Sequence, residues 1–115
     1  MSTTADIAVE QTGGWTVARL NGELDMTNCS YVRDVLTRAV PSEAHGMIAD
    51  LSGTLYLDSA AIELLFEMAR RLSRRRQRLR IVMPAGSPLQ RVLELTDVKA
   101  VAPIHATLDD ALGAA

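Results

Sequence analysis

The sequence predicts an α/β domain built on a mixed, mostly parallel sheet of about four to five strands, with four helices packed mainly on one face. Three observations carry that expectation. After an initial hairpin signal, short apolar runs alternate with stretches of helical spacing, in the order β-β-α-β-α-β-α-β-α, which favours a largely parallel sheet. The joints are short, and no internal repeat, linker or low-complexity tract interrupts them. Finally, 115 residues that are 48% hydrophobic suffice for one core, so residues 1–115 are read as one domain. Trp15, Tyr31, Tyr56 and Phe66 are the aromatic residues, so that core must be aliphatic.

Each element follows from local pattern. "DIAVEQ", residues 6–11, alternates like an edge strand, and Gly13 and Gly14 mark a turn. "WTVARLNGEL" returns as the second arm of the hairpin, with Asn21 and Gly22 placed to bend or bulge its end. In "TNCSYVRDVLTRAV", Val32, Val35, Leu36, Ala39 and Val40 fall at helical spacing. Thr27 or Asn28 can cap that helix, and Pro41 stops it. "GMIADLS", residues 46–52, reads as a buried strand, and residues 51–59 as the loop leaving it. A helix over 59–73 puts Ala61, Ile62, Leu65, Met68, Ala69 and Leu72 on one face. "LRIVM", residues 79–83, is a strand. Ser87, Pro88 and Gln90 then form a cap, a first-turn proline and a capping-box partner for a helix running to about Asp97. A short strand near residues 101–104 and a final helix, "LDDALGA", capped by Thr107, close the chain.

The bulk chemistry excludes several function classes. A net charge of −2 gives no reason to expect nucleic acid or acidic membranes as general partners. The start, "MSTTADIAVE", has neither a basic segment nor an apolar signal core, and no apolar run approaches the ~20 residues of a membrane span. Cys29 is the single cysteine, so no internal disulfide forms, and a reducing, cytoplasmic setting is expected. His45 and His105 have no ligand partners at metal spacing, and neither "NGELD" nor "SGTLY" is a phosphate-cradling loop. No nucleophile, base and oxyanion hole come together, so neither an enzyme nor a cofactor is expected. A two-component receiver is also disfavoured: Pro84 stands where its late lysine is wanted. The run "RRLSRRRQRLR" holds seven of the twelve Lys and Arg residues; a solvated helix end that complements the helix dipole explains it.

In open α/β sheets, sites lie where strands hand over to helices at their carboxyl ends. Asp58 and Ser59 stand at such a joint. Either side chain can cap the following helix, which is worth ~1 kcal/mol. The same position displays a hydroxyl that can be phosphorylated, and a helix N-terminus stabilises the added phosphate.

Two motifs, "LNGELDMTN" (20–28) and "ADLSGTLYLDSAAIELL" (49–65), together resemble the STAS domain family, the anti-sigma factor antagonists. The resemblance spans nearly the whole chain. It implies a STAS-like fold and a partner switch in which Ser59 is phosphorylated by an anti-sigma factor with a kinase-like ATP-binding fold. The unphosphorylated form binds that partner and releases the sigma factor; phosphorylation breaks the complex, and a serine phosphatase restores it. Asp25, Thr27, Asp58, Ser59, Ala61, Ile62 and Glu63 are the implied partner-contacting residues. ATP and its magnesium would belong to the kinase. One departure stands out: relatives continue Asp-Ser-x-Gly-x-Gly, where this chain has Ala61 and Glu63. That departure motivates the alternative of a non-switching STAS scaffold, or a cytoplasmic subunit of a transporter complex.

Overall fold

A computed structural model describes residues 5–114. The elements are β1 (Ala5–Thr12), β2 (Trp15–Leu24), α1 (Cys29–Ala39), β3 (Gly46–Asp50), β4 (Thr54–Leu57), α2 (Ser59–Arg74), β5 (Arg78–Val82), α3 (Pro88–Glu94), a 3-10 turn (Val98–Ala100), β6 (Ile104–His105) and α4 (Leu108–Gly113). The sheet order is β1-β2-β3-β5-β6, with β4 pairing β2. Among the described residues only the β1–β2 hairpin is antiparallel; the other pairings are parallel. The mixed, mostly parallel α/β architecture is therefore present, in a sheet of six strands.

Strand alternation divides the core in two. Ala18 and Leu20 of β2, Met47 and Ala49 of β3, and Leu79 and Ile81 of β5 face α1, α2 and α3. Trp15, Val17, Ile48 and Val82 face the other way and are covered by Leu108, Ala111 and Leu112 of α4. Helices thus lie mainly on one face. On the α4 side, Arg80 is buried: its Nη1 donates to the Ala111 carbonyl at 2.6 Å, and its guanidinium lies 4.2 Å from the Trp15 ring centroid. Burial pushes this guanidinium below its ordinary range, with Arg78 adding to the effect.

Five local expectations are corrected. The segment after β3 is not only loop: β4 lies within it, joined to the carboxyl end of β2 through Glu23 opposite Tyr56 and Leu24 opposite Leu57. β2 changes partner between Arg19, which pairs with β3, and Gly22, which pairs with β4, and its register against β4 then shifts between Gly22 and Glu23, at the bend expected from Asn21 and Gly22. Second, neither Thr27 nor Asn28 caps α1 through its side chain. The amides of Asn28 and Cys29 donate instead to the Asp25 carbonyl, while the Asn28 side chain accepts from the Asp25 amide at 3.1 Å and donates to the Glu23 carbonyl at 2.8 Å. Third, α3 ends at Glu94, because Asp97 takes a left-handed conformation (φ 62°) that no helix continues. Fourth, the last strand holds only Ile104 and His105, since a 3-10 turn over 98–100 buries Val98. At α3, Gln90 reaches the Gly86 amide (3.1 Å) rather than that of Ser87, whose hydroxyl caps Leu89.

One glycine is required by packing between strands. A Cβ at Gly46 would stand 1.9 Å from the Arg78 carbonyl, and its φ is +153°.

Candidate functional site

The joint between β4 and α2 is held from both sides. Asp58 adopts an extended conformation (φ −97°, ψ −175°) as the N-cap of α2. Its Oδ1 accepts from the Ala61 amide at 2.9 Å, and its Oδ2 accepts from the Met26 amide at 2.9 Å. Its own amide donates to the Leu24 carbonyl at 3.2 Å. One carboxylate therefore starts the helix and ties it to the loop that follows β2. That neighbouring loop is internally braced: Asp25 Oδ1 accepts from the Thr27 amide at 2.9 Å and from the Thr27 hydroxyl at 2.5 Å.

This arrangement separates the two readings of the Asp-Ser pair. Asp58 is the cap. Ser59 is the first residue of α2; it is exposed, and its hydroxyl makes no hydrogen bond to the described residues. Asp25 and Asp58 are half-buried, whereas Thr27 and Glu63 are exposed on the same edge.

Ala61 and Ile62 are corrected as surface residues. They are 1% and 8% exposed and pack into the core beneath α2. A methyl at position 61 is therefore part of the core and not of the surface. Glu63, by contrast, stands on the wall of a cleft of about 550 Å³ between the first turns of α1 and α2. Met26, Cys29, Arg33, Ala60 and Phe66 share that cleft. Arg33 and Arg71 both bind Glu67 at 3.0 Å, linking the two helices below it. Burial pushes the Cys29 thiol up, reinforced by Asp58 and Asp25 and opposed by Arg33.

Sequence reasoning missed exposed apolar residues on the segments that lead into the site. Met26 and Leu55 are each 77% exposed and Tyr56 is 49% exposed, beside a site otherwise made of acids and hydroxyls. A signal existed in "GTLYLDS": successive Leu55 and Tyr56 cannot both face one side of a strand. Among the described residues no three His, Cys, Asp or Glu side chains are grouped to hold a metal ion. No helix among them is long and apolar enough to cross a membrane.

The STAS domain model matches residues 6–111. An anti-sigma factor antagonist from Mycobacterium paratuberculosis superposes with a TM-score of 0.83 at 25% identity, over 95% of this chain and 92% of that one. An anti-sigma-factor antagonist (STAS) domain protein from Planctomyces limnophilus gives 0.75 at 24% identity, over 95% and 96%. The Bacillus cell fate determinant SpoIIAA in its phosphorylated form gives 0.66 at 21% identity, over 93% and 96%. No curated protein matches in sequence. With four-helix, mixed-sheet architecture and a family match over nearly its full length, the chain belongs to the STAS domain family.

Proposed function

We infer that this chain is a cytoplasmic anti-sigma factor antagonist. In its unphosphorylated form it binds an anti-sigma factor of kinase-like ATP-binding fold, and phosphorylation of Ser59 by that partner abolishes the complex. A serine phosphatase resets it. The chain itself performs no catalysis and holds no cofactor.

The observation that supports this reading is the exposed, unengaged Ser59 hydroxyl at the start of α2, beside a cap that Asp58 alone supplies. Phosphorylation there removes no structural hydrogen bond. It adds about −1.5 to −2 charges next to Asp58. A partner closing over that dianion must desolvate it, and an unpaired buried charge costs several kcal/mol. Docking is lost without a global rearrangement.

Incubation with the kinase-like anti-sigma factors of the same genome and ATP, followed by mass spectrometry, tests the reading. Phosphate on Ser59 is the expected result, with Ser59→Ala retaining partner binding and Ser59→Asp losing it. No modification by any of them sinks the switch.

Exposed Glu63 favours a second reading, a non-switching scaffold or a cytoplasmic subunit of a transporter complex, because it places a carboxylate where a partner would approach. Pull-down from the native cell separates the two: a membrane ATPase as main partner supports the second, an anti-sigma factor the first.

A further inference from the structure

The far end of α2 carries a surface that the Ser59 switch does not use. α1 and α2 finish side by side there, since Arg75 at the end of α2 donates through Nη2 to the Val40 carbonyl at the end of α1 (3.1 Å). Between their last turns lies a cavity of about 260 Å³. Its floor is Leu36, Val40, Met68 and Leu72, and its rim is Thr37, Arg71, Arg74 and Arg75.

The positive charge here exceeds what the fold needs. Two helix C-termini amount to roughly one negative charge. Three exposed arginines stand on the seam itself, Arg71, Arg74 and Arg75, while exposed Arg70 lines the cleft near Ser59 and exposed Arg78 begins β5. Arg71 pairs with Glu67, and Arg75 with the Val40 carbonyl. The side chains of Arg74 and Arg76 have no partner among the described residues, although the Arg76 amide donates to the Ser73 carbonyl. Arg76 is moreover held in the left-handed region at φ 60°, where glycine is the easier residue. Keeping an arginine there costs about 1 kcal/mol of backbone strain.

We propose that this arginine-rimmed seam between α1 and α2 is a second docking surface, and that it takes an acidic amphipathic segment of a partner protein. One apolar side chain of that segment sits on the Leu36–Leu72 floor, and flanking carboxylates pair with Arg74 and Arg75. Charge complementarity sets the sign of the partner. The apolar floor, whose side chains are each 5% exposed or less, has room for one apolar side chain and sets its class. A nucleic acid has no aromatic platform on the seam to stack upon. A bilayer has no exposed large hydrophobic residue there to insert, since exposed Met26 lies in the loop after β2 and exposed Leu55 and Tyr56 lie on β4. Ser59 precedes Arg74 by fifteen residues on α2, roughly 22 Å along the axis, so both surfaces can be occupied together.

The test titrates the isotopically labelled full chain with a synthetic helical peptide carrying leucine flanked by glutamates, followed by NMR. Amide shifts are expected at residues 36–40 and 68–75. Affinity should fall about tenfold when the peptide leucine becomes serine, and vanish when its glutamates become lysines. Arg74→Glu should weaken binding about tenfold, and so should Thr37→Trp, which leaves the charge unchanged and fills the mouth of the seam. Ser59→Asp should leave it unaltered. The proposal is overturned by absence of shifts at roughly 1 mM peptide, by equal binding of the serine peptide, or by shifts confined to the Ser59 edge. Tighter occupation of the seam by a single-stranded oligonucleotide or by anionic vesicles overturns it as well.

Discussion

Replacing Asp58 by alanine should unfold the site's scaffold far more than replacing the residue beside it. The carboxylate makes two hydrogen bonds to backbone amides, one within α2 and one across to the loop after β2. Loss of an N-cap costs ~1 kcal/mol. A hydrogen bond to a charged acceptor adds ~1.5 kcal/mol when, as at Met26, the donor is exposed. The sum, about 2.5 kcal/mol, corresponds to a fall in Tm of roughly 10 °C for a domain of this size. Ser59→Ala removes an exposed hydroxyl that caps nothing and should change stability by less than ~0.5 kcal/mol. Asp58→Asn keeps one amide acceptor and should fall between. Urea denaturation followed by circular dichroism, with the three variants at matched slope, reads the difference. The reasoning is refuted if Asp58→Ala lies within ~0.5 kcal/mol of the parent, or if Ser59→Ala costs as much.

Gly46→Ala should cost more than ~3 kcal/mol in the same assay, because a Cβ at 1.9 Å from the Arg78 carbonyl separates β3 from β5 where their pairing begins. Arg76→Gly should raise stability by about 1 kcal/mol by relieving the left-handed arginine; an unchanged melting curve contradicts the strain. Arg80→Ala should cost about 3 kcal/mol through the lost Ala111 bond and Trp15 contact, with faster amide exchange in α4; unaltered exchange there would show that Arg80 does not anchor the helix. For Cys29, the neutral thiol is favoured by folding, so stability is complete below the unfolded thiol's pKa and declines as pH rises through the higher folded one. Iodoacetamide labelling of the folded chain should accordingly accelerate at higher pH than that of the unfolded chain, and coincident profiles would refute the shift.

How much of this was legible in the sequence depends on what each residue answers to. The hairpin, α1, α2 and β5 were readable because one dominant periodicity decides each, and burial respects it. β4 was not, because its four residues obey no alternation: Thr54 and Leu57 are buried while Leu55 and Tyr56 are exposed. It exists because the end of β2 offers it a partner more than thirty residues away in sequence, secured by Thr54 Oγ1 donating to the Leu20 carbonyl. α1 begins after Asn28 as expected, but its side-chain cap is absent for a related reason. Asn28 has the chemistry of a cap, but the loop employs its amide to bind Glu23 and Asp25 first. At the site, the pattern could place Asp58 and Ser59 at a helix start and could not say which of them caps. The hydrogen bond to Met26 decides it, and that contact spans 32 residues.

That division of roles bears on what a phosphate at Ser59 could do in the proposed switch. A helix N-terminus ordinarily absorbs an anion through its free first-turn amides. Here the Ala61 amide is committed to Asp58 Oδ1 and the Ile62 amide to the Asp58 carbonyl, leaving only the amides of Ser59 and Ala60. The capping carboxylate also repels the incoming charge, as do Asp25 and Glu63 on the same edge. The fold therefore has little with which to internalise the phosphate and no bond that the phosphate must break. Its charge stays at the surface, near exposed Met26, whose amide binds the same Asp58 carboxylate. A modification so placed should shift Tm by no more than about 2 °C while opposing docking strongly. Equal effects on folding and on binding would instead mean that Ser59 is part of the scaffold.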